Sequence, residues 1–193
     1  MTEKDVLGLF KKEKALLSGH FLLSSGMHSP NYMQCALLLQ KPWLAEKLCM
    51  ALGKKMQKAK FDVVIGPALG GMIVSYDMGR ALGLRAIFAE RSEGAFTLRR
   101  GFSLKKNEKV LIVEDVITTG KSTLEVAELV KAAGADVCGV ASIVDRTGGS
   151  GPFQVPFYSL LKIDIKTYNV QDCPLCREGK LTAVKPGSRG SVK

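Results

Sequence analysis

The chain has 193 residues, 46% of them hydrophobic, which is enough to bury a core and within the usual size of one domain. No run approaches the ~20 apolar residues of a bilayer-spanning helix. Met1-Thr2-Glu3-Lys4-Asp5 lacks the basic-then-apolar order of a signal peptide, so a cytoplasmic protein with no membrane partner is expected. The formal charge of +10 favours anionic ligands such as phosphates, carboxylates or nucleic acid, without choosing among them. Cys35, Cys49, Cys138, Cys173 and Cys176 are odd in number, and Cys49 and Cys138 sit in apolar patterns, so disulfides are not expected.

Residues 1–40 show no regular alternation of strands and helices and are expected to cap the core or complete a substrate site. Leu44, Leu48, Leu52 and Met56 then recur every four residues, the pattern of an amphipathic helix starting after Pro42. Phe61 to Ile65 is a short β-branched run closed by Gly66-Pro67, and Gly70 to Leu82 reads as a helix ending at Gly83. The unit repeats, with a strand at Val110 to Val113, a helix at Lys121 to Ala133 and a strand at Val137 to Val144. Strands alternating with helices at this spacing predict a parallel sheet covered on both faces, with ligands bound beyond the carboxyl ends of its strands. The segment after Pro152 leaves the alternation, and residues 185–193 are rich in Gly and Ser and expected to be disordered.

The most informative stretch is Val110-Leu111-Ile112-Val113-Glu114-Asp115-Val116-Ile117-Thr118-Thr119-Gly120-Lys121-Ser122-Thr123. An apolar strand runs into two acids, then into a hydroxyl-and-glycine loop that opens a helix. Backbone N–H groups at a helix start, flanked by hydroxyls and a glycine, suit a phosphate dianion. The paired carboxylates can accept hydrogen bonds from a sugar diol. A Walker A loop would need glycine where Asp115 stands, and no Gly-x-Gly-x-x-Gly follows a predicted strand, so both of those phosphate motifs are excluded.

This string resembles the phosphoribosyl pyrophosphate signature of the type I phosphoribosyltransferases. The resemblance implies an α/β fold, a parallel sheet flanked by helices with a small hood from the N-terminal and C-terminal segments. It implies one domain over residues 1–184, with residues 1–40 forming the base-binding part. Glu114 and Asp115 would hold the ribose hydroxyls, and Thr118, Thr119, Gly120, Lys121 and Ser122 the 5-phosphate, with Val116 and Ile117 between them.

Further motifs resemble the orotate phosphoribosyltransferases, which join phosphoribosyl pyrophosphate to orotate to give orotidine 5'-monophosphate and pyrophosphate in pyrimidine biosynthesis. Ser25-Gly26-Met27-His28-Ser29-Pro30-Asn31-Tyr32 looks like their base-binding segment and Ile65-Gly66-Pro67-Ala68-Leu69-Gly70-Gly71 like their pyrophosphate loop. Arg146, after Val144-Asp145, and Thr118 fall at the family's orotate contacts. Orotate carries a carboxylate that asks for a planar cationic fork, a task for arginine rather than lysine. Glu90 to Phe102 resembles the mobile catalytic loop, implying Arg91, Arg99 and Arg100 as catalytic groups with Asp115, and Gly94 and Gly101 as hinges. The resemblance also implies Mg²⁺ held by phosphoribosyl pyrophosphate with no direct protein ligand, and a homodimer with shared active sites. It covers about Ser18 to Arg146, and departs from the family at Ser24 and Gly70, where many relatives carry lysine.

Two alternatives stand beside this reading. A purine phosphoribosyltransferase of the same fold would place an aromatic ring over the base, for which Phe157 and Tyr158 qualify. A nucleic-acid-binding regulator that senses phosphoribosyl pyrophosphate rests on the charge alone, and no recognition helix, zinc finger or aromatic RNA-binding motif accompanies it, so nucleic acid is not the expected partner. Cys173-Pro174-Leu175-Cys176 has the spacing of half a zinc site, but four ligands are needed and neither a second Cys pair nor a His pair is evident. His20 has no partner visible in the sequence, and His28 reads equally well as a surface residue, so no zinc site is expected.

Overall fold

Thr2 opens the first helix, α1 (Glu3–Lys12), through a capping box: its hydroxyl accepts from the Asp5 backbone N–H at 3.2 Å, and Asp5 accepts from the Thr2 backbone at 2.8 Å. The computed structural model describes residues 1–23, 25–149 and 151–185; Ser24 and most of the expected tail lie outside them. After α1 come a hairpin of β1 (Leu16–Leu22) and β2 (His28–Met33), a single turn α2 (Ala36–Leu39), and α3 (Pro42–Lys54), which begins on its proline.

The sheet then builds from β3 (Val63–Pro67), α4 (Gly70–Leu82), β4 (Arg85–Ser92), β5 (Ala95–Thr97), β6 (Lys109–Ile117), α5 (Lys121–Ala132), β7 (Asp136–Asp145) and β8 (Phe157–Lys162). A 3₁₀ turn at Val170–Asp172 leads into the short α6 (Pro174–Glu178). Strand order is β5-β4-β3-β6-β7-β8, parallel throughout except for β5, which pairs antiparallel with β4 at one edge.

The period of two along β6 explains why its sequence is continuously apolar. Leu111 and Val113 pack on one face with Leu48 and Leu52 of α3 and Met78 of α4, whereas Val110 and Ile112 pack on the other with Val126 and Val130 of α5. Both faces are therefore covered, and each fully buried leucine or valine contributes roughly 1.5–3 kcal/mol. Among the described residues no helix is long and apolar enough to cross a membrane.

The expected strands and helices are present with shifted ends. The strand expected at Phe61 to Ile65 runs from Val63 to Pro67, and β6 extends past Val113 through both acids to Ile117. Pairing with β7 causes that extension, since Glu114 stands beside Ser142 and Ile117 beside Asp145 in the parallel ladder. Glycine 94, expected as a hinge, instead completes a two-residue turn between β4 and β5. Glu93 (φ 52°) and Gly94 (φ 89°) both adopt the positive φ that a tight hairpin requires.

The hood is an N-terminal hairpin bound by the C-terminal segment. His28 and Tyr168 exchange backbone hydrogen bonds at 2.8 Å in each direction, and Val184 bridges to Phe21. Ser29 is buried and donates its hydroxyl to the Lys166 carbonyl at 2.9 Å.

Candidate active site

Strand β6 delivers Glu114 and Asp115 to its carboxyl end, and the chain turns at once into the loop that starts α5. Gly120 is the N-cap of that helix and has φ 76°, a left-handed conformation that strains any L side chain. Its missing Cβ would lie 2.8 Å from Pro152 and 3.0 Å from Phe153, so the loop needs glycine for space as well. Gly120 has no side chain to cap α5, and the Lys121 backbone N–H instead donates to the Thr119 hydroxyl at 3.4 Å; beside this helix start lies a cavity of about 80 Å³ lined by Glu114 and the Val116 to Thr123 segment.

The two acids are held in different ways. Burial, and then the adjacent charge of Asp115, push the Glu114 carboxyl up to about 8. Burial raises Asp115 too, opposed by hydrogen bonds that favour its carboxylate, including one from the Val116 backbone N–H at 2.8 Å. The nearby Cys35 thiol, following β2, lowers Asp115 as well. Cys35 is itself raised well above the ordinary thiol range, by burial and then by the Asp115 charge, so it stays protonated.

Opposite Asp115 lies the turn from β3 into α4. A Cβ on Gly66 would meet the Gly71 carbonyl oxygen at 2.2 Å, and one on Gly71 would meet the Pro67 ring at 2.8 Å. The Ala68-Leu69 peptide bond in this turn is cis. Only glycines permit so close a return of the backbone, which is why Gly66, Gly70 and Gly71 recur within six residues.

Arg146 follows β7, and its backbone N–H donates to the Ile117 carbonyl at 2.8 Å, which sets it beside Thr118. Asp145 fixes the next turn by accepting from the Thr147 backbone at 2.8 Å and from its hydroxyl at 2.7 Å. The Arg146 Nε is buried without a hydrogen-bond partner, the side chain makes no ion pair among the described residues, and burial lowers its pKa. A desolvated guanidinium with an idle donor is costly unless an anion completes it.

The three loop arginines lie apart from one another in role. Arg91 pairs with Glu125 of α5, donates to the Gly94 carbonyl at 2.7 Å and sits 4.2 Å from the Phe96 ring centroid. Arg100 pairs with Glu90 at 2.8 Å. Arg99 is exposed and has no ion-pair partner among the described residues.

The rings named for a purine reading are spent on packing. Phe157 meets Phe153 edge-on at 5.3 Å, and Tyr158 packs against the core on the other face of β8.

One further expectation is corrected. The partners that Cys173 and Cys176 lack in sequence are His20 and His28, which β1 and β2 bring to them across the fold. Sequence spacing hides this pair, because two histidines eight residues apart meet only across a hairpin.

A mostly parallel sheet whose central strand ends in two half-buried acids followed by a glycine-opened helix defines a phosphoribosyltransferase-type site, and the phosphoribosyl transferase domain family matches residues 39–176. An orotate phosphoribosyltransferase of Carboxydothermus hydrogenoformans is 55% identical over 187 residues, covering 96% of this chain and 97% of that one. Another, of Caldanaerobacter subterraneus subsp. tengcongensis, is 51% identical over 189 residues, 98% of this chain and 99% of its own. Among solved structures, the orotate phosphoribosyltransferase of Aeropyrum pernix aligns with a TM-score of 0.69 at 26% identity, over 82% of this chain and 93% of that one. The chain belongs to the orotate phosphoribosyltransferase family.

Proposed function

We propose that this protein transfers the phosphoribosyl group of phosphoribosyl pyrophosphate to orotate, giving orotidine 5'-monophosphate and pyrophosphate in pyrimidine biosynthesis. The observation that carries the reading is Arg146, a half-buried arginine whose buried Nε has no partner and whose backbone is held against the loop after the paired acids. A base bearing a carboxylate completes that group, and a purine does not.

In this reading Glu114 and Asp115 accept from the ribose 2- and 3-hydroxyls, while the loop from Thr118 to Ser122 binds the 5-phosphate with the N-terminal end of α5. The glycine turn between β3 and α4 leaves backbone groups free for pyrophosphate next to Asp115. Thr118 and Arg146 orient orotate so that its ring nitrogen faces C1 of the ribose as the C1–oxygen bond to pyrophosphate breaks. Paired carboxyl groups beside a diol whose oxygens also bind a cation are drawn toward their ionised, accepting form, so Mg²⁺ fits here as a partner of the substrate. When bound, it supplies positive charge that offsets the leaving pyrophosphate. Arg99, with Arg91 and Arg100 released from their acids, adds cationic charge when the hairpin closes over the site.

A homodimer accompanies this reading. Leu69, Ile73 and Tyr76 form an exposed stripe on α4 and its approach, with Tyr76 70% accessible, which suits burial against a second copy. Five free thiols fit a reducing, cytoplasmic setting. The test is the fall in orotate ultraviolet absorbance on adding phosphoribosyl pyrophosphate and Mg²⁺, beside purine bases and an Asp115→Asn variant. Turnover with orotate alone, lost in the variant, supports the reading; turnover only with a purine, or with no base, defeats it.

A further inference from the structure

The hood has little to hold it together. From Ile163 to Lys185 only Ile165 and Cys173 are buried apolar side chains, too few for a segment of this length to dock by hydrophobic burial alone. It nevertheless docks on the hairpin at a point where His20, His28, Cys173 and Cys176 bring one ligand atom each within 4.8 Å of one another. His20, His28 and Cys173 are buried there, and Cys176 lies at the open side.

We propose that these four residues bind a structural zinc ion that fastens the C-terminal segment to the N-terminal hairpin. The donor set is Cys₂His₂, the soft tetrahedral set that zinc takes in closed structural sites. Zinc bond lengths imply about 3.5 Å for the nitrogen–sulfur edge of a tetrahedron. Three such edges are present, at 3.5 Å from Cys173 Sγ to His20 Nε2, 3.6 Å from Cys176 Sγ to the same nitrogen, and 3.2 Å from Cys176 Sγ to His28 Nδ1. The two ring nitrogens lie 2.8 Å apart, and a small rotation of either ring opens them to the tetrahedral separation.

A supporting contact orients the first ligand. His20 Nδ1 lies 2.8 Å from the Leu181 carbonyl, an acceptor that requires the proton on Nδ1 and leaves Nε2, the nitrogen facing the cluster, with its lone pair free. Binding displaces both thiol protons, so two thiolates balance the dication and the histidines stay neutral. The site uses both strands of the hairpin, one residue at the N-cap of α6 and one within it, so it closes the loop between distant parts of the chain.

The experiment is elemental analysis of the full-length protein, purified under reducing conditions without chelator, together with cobalt reconstitution. About one zinc per chain is expected, along with a thiolate-to-cobalt charge-transfer band and tetrahedral ligand-field bands after exchange. Cys176→Ser, at the open side and least able to disturb folding, should lose the metal and the charge-transfer band. A zinc-selective chelator that leaves magnesium in place should lower the melting temperature of the wild type and not of the variant. Folded wild-type protein with no zinc and no charge-transfer band on cobalt addition overturns the proposal, as does isolation with a Cys173–Cys176 disulfide despite reductant.

Discussion

The Cβ that Gly70 lacks would lie 2.7 Å from Oδ1 of Asp115, so the first residue of α4 and the second acid of β6 leave no room for a side chain between them. The glycine turn therefore closes directly on the acid.

Gly70→Ala is therefore expected to act on catalysis rather than on folding. Alanine at a helix start gains up to about 1 kcal/mol from reduced chain freedom, which offsets part of the crowding. The Michaelis constant for phosphoribosyl pyrophosphate should rise about tenfold or more, a loss of ~1.4 kcal/mol in transition-state binding. Gly66→Ala is the contrasting case. Its new Cβ would overlap the Gly71 carbonyl at 2.2 Å, so it should destabilise the fold by ~1–3 kcal/mol or more. Steady-state kinetics beside urea unfolding separates the two.

Glu114 should leave a signature in pH dependence. Its folded value is about 8 against an ordinary 4.5, so the native state holds that proton more tightly than the unfolded chain. The contribution to stability is complete below about 4.5 and declines as pH rises through about 8. Glu114→Gln should flatten the decline and be the more stable protein by a few kcal/mol at alkaline pH. Unfolding curves across that range measure it. Substrate that draws Glu114 into its ionised form should also release a proton on binding, seen by calorimetry in buffers of different ionisation enthalpy and absent from the variant.

For Arg146 the expected effects on stability and activity have opposite signs. Arg146→Met removes a half-buried cation whose buried Nε has no partner, so the ligand-free protein should melt at the same temperature or higher. Orotate turnover should fall about a hundredfold or more, since a charged hydrogen bond made in the bound state is lost. Arg146→Lys keeps the charge but not the fork, and should recover only part of that loss. Equal melting loss and activity loss would count against a binding role.

Among the loop arginines, Arg99→Ala should be the one with a purely kinetic effect, because that side chain has no partner to lose among the described residues. A fall of kcat by about tenfold or more with unchanged melting is expected. Glu125→Gln frees Arg91 from its exposed ion pair and should change stability by less than about 1 kcal/mol. Any change in kcat from that variant measures how far the pair holds the hairpin open.

The phosphate loop, its two acids and the flanking strand and helix were legible because they lie in one unbroken string, Val110 to Thr123, where local geometry and chemistry coincide. The β4–β5 hairpin was not, because Glu93 is an unusual residue for a positive φ and Gly94 alone looks like a flexible joint. Cys35 gave no sign of its place beneath Asp115, since only the packing of the hairpin's exit against β6 brings them together. The His20, His28, Cys173 and Cys176 group stayed hidden for the same reason, its halves set 153 residues apart between His20 and Cys173.

That separation also bears on how the protein is made. The parallel sheet through β7 can assemble while synthesis continues, but the strand exchange between His28 and Tyr168 waits until Tyr168 itself has left the ribosome. A nascent chain stalled before Tyr168 can therefore carry a finished sheet and still lack the closed hood. The hood is thus the last part of the fold to form, on a sheet already complete.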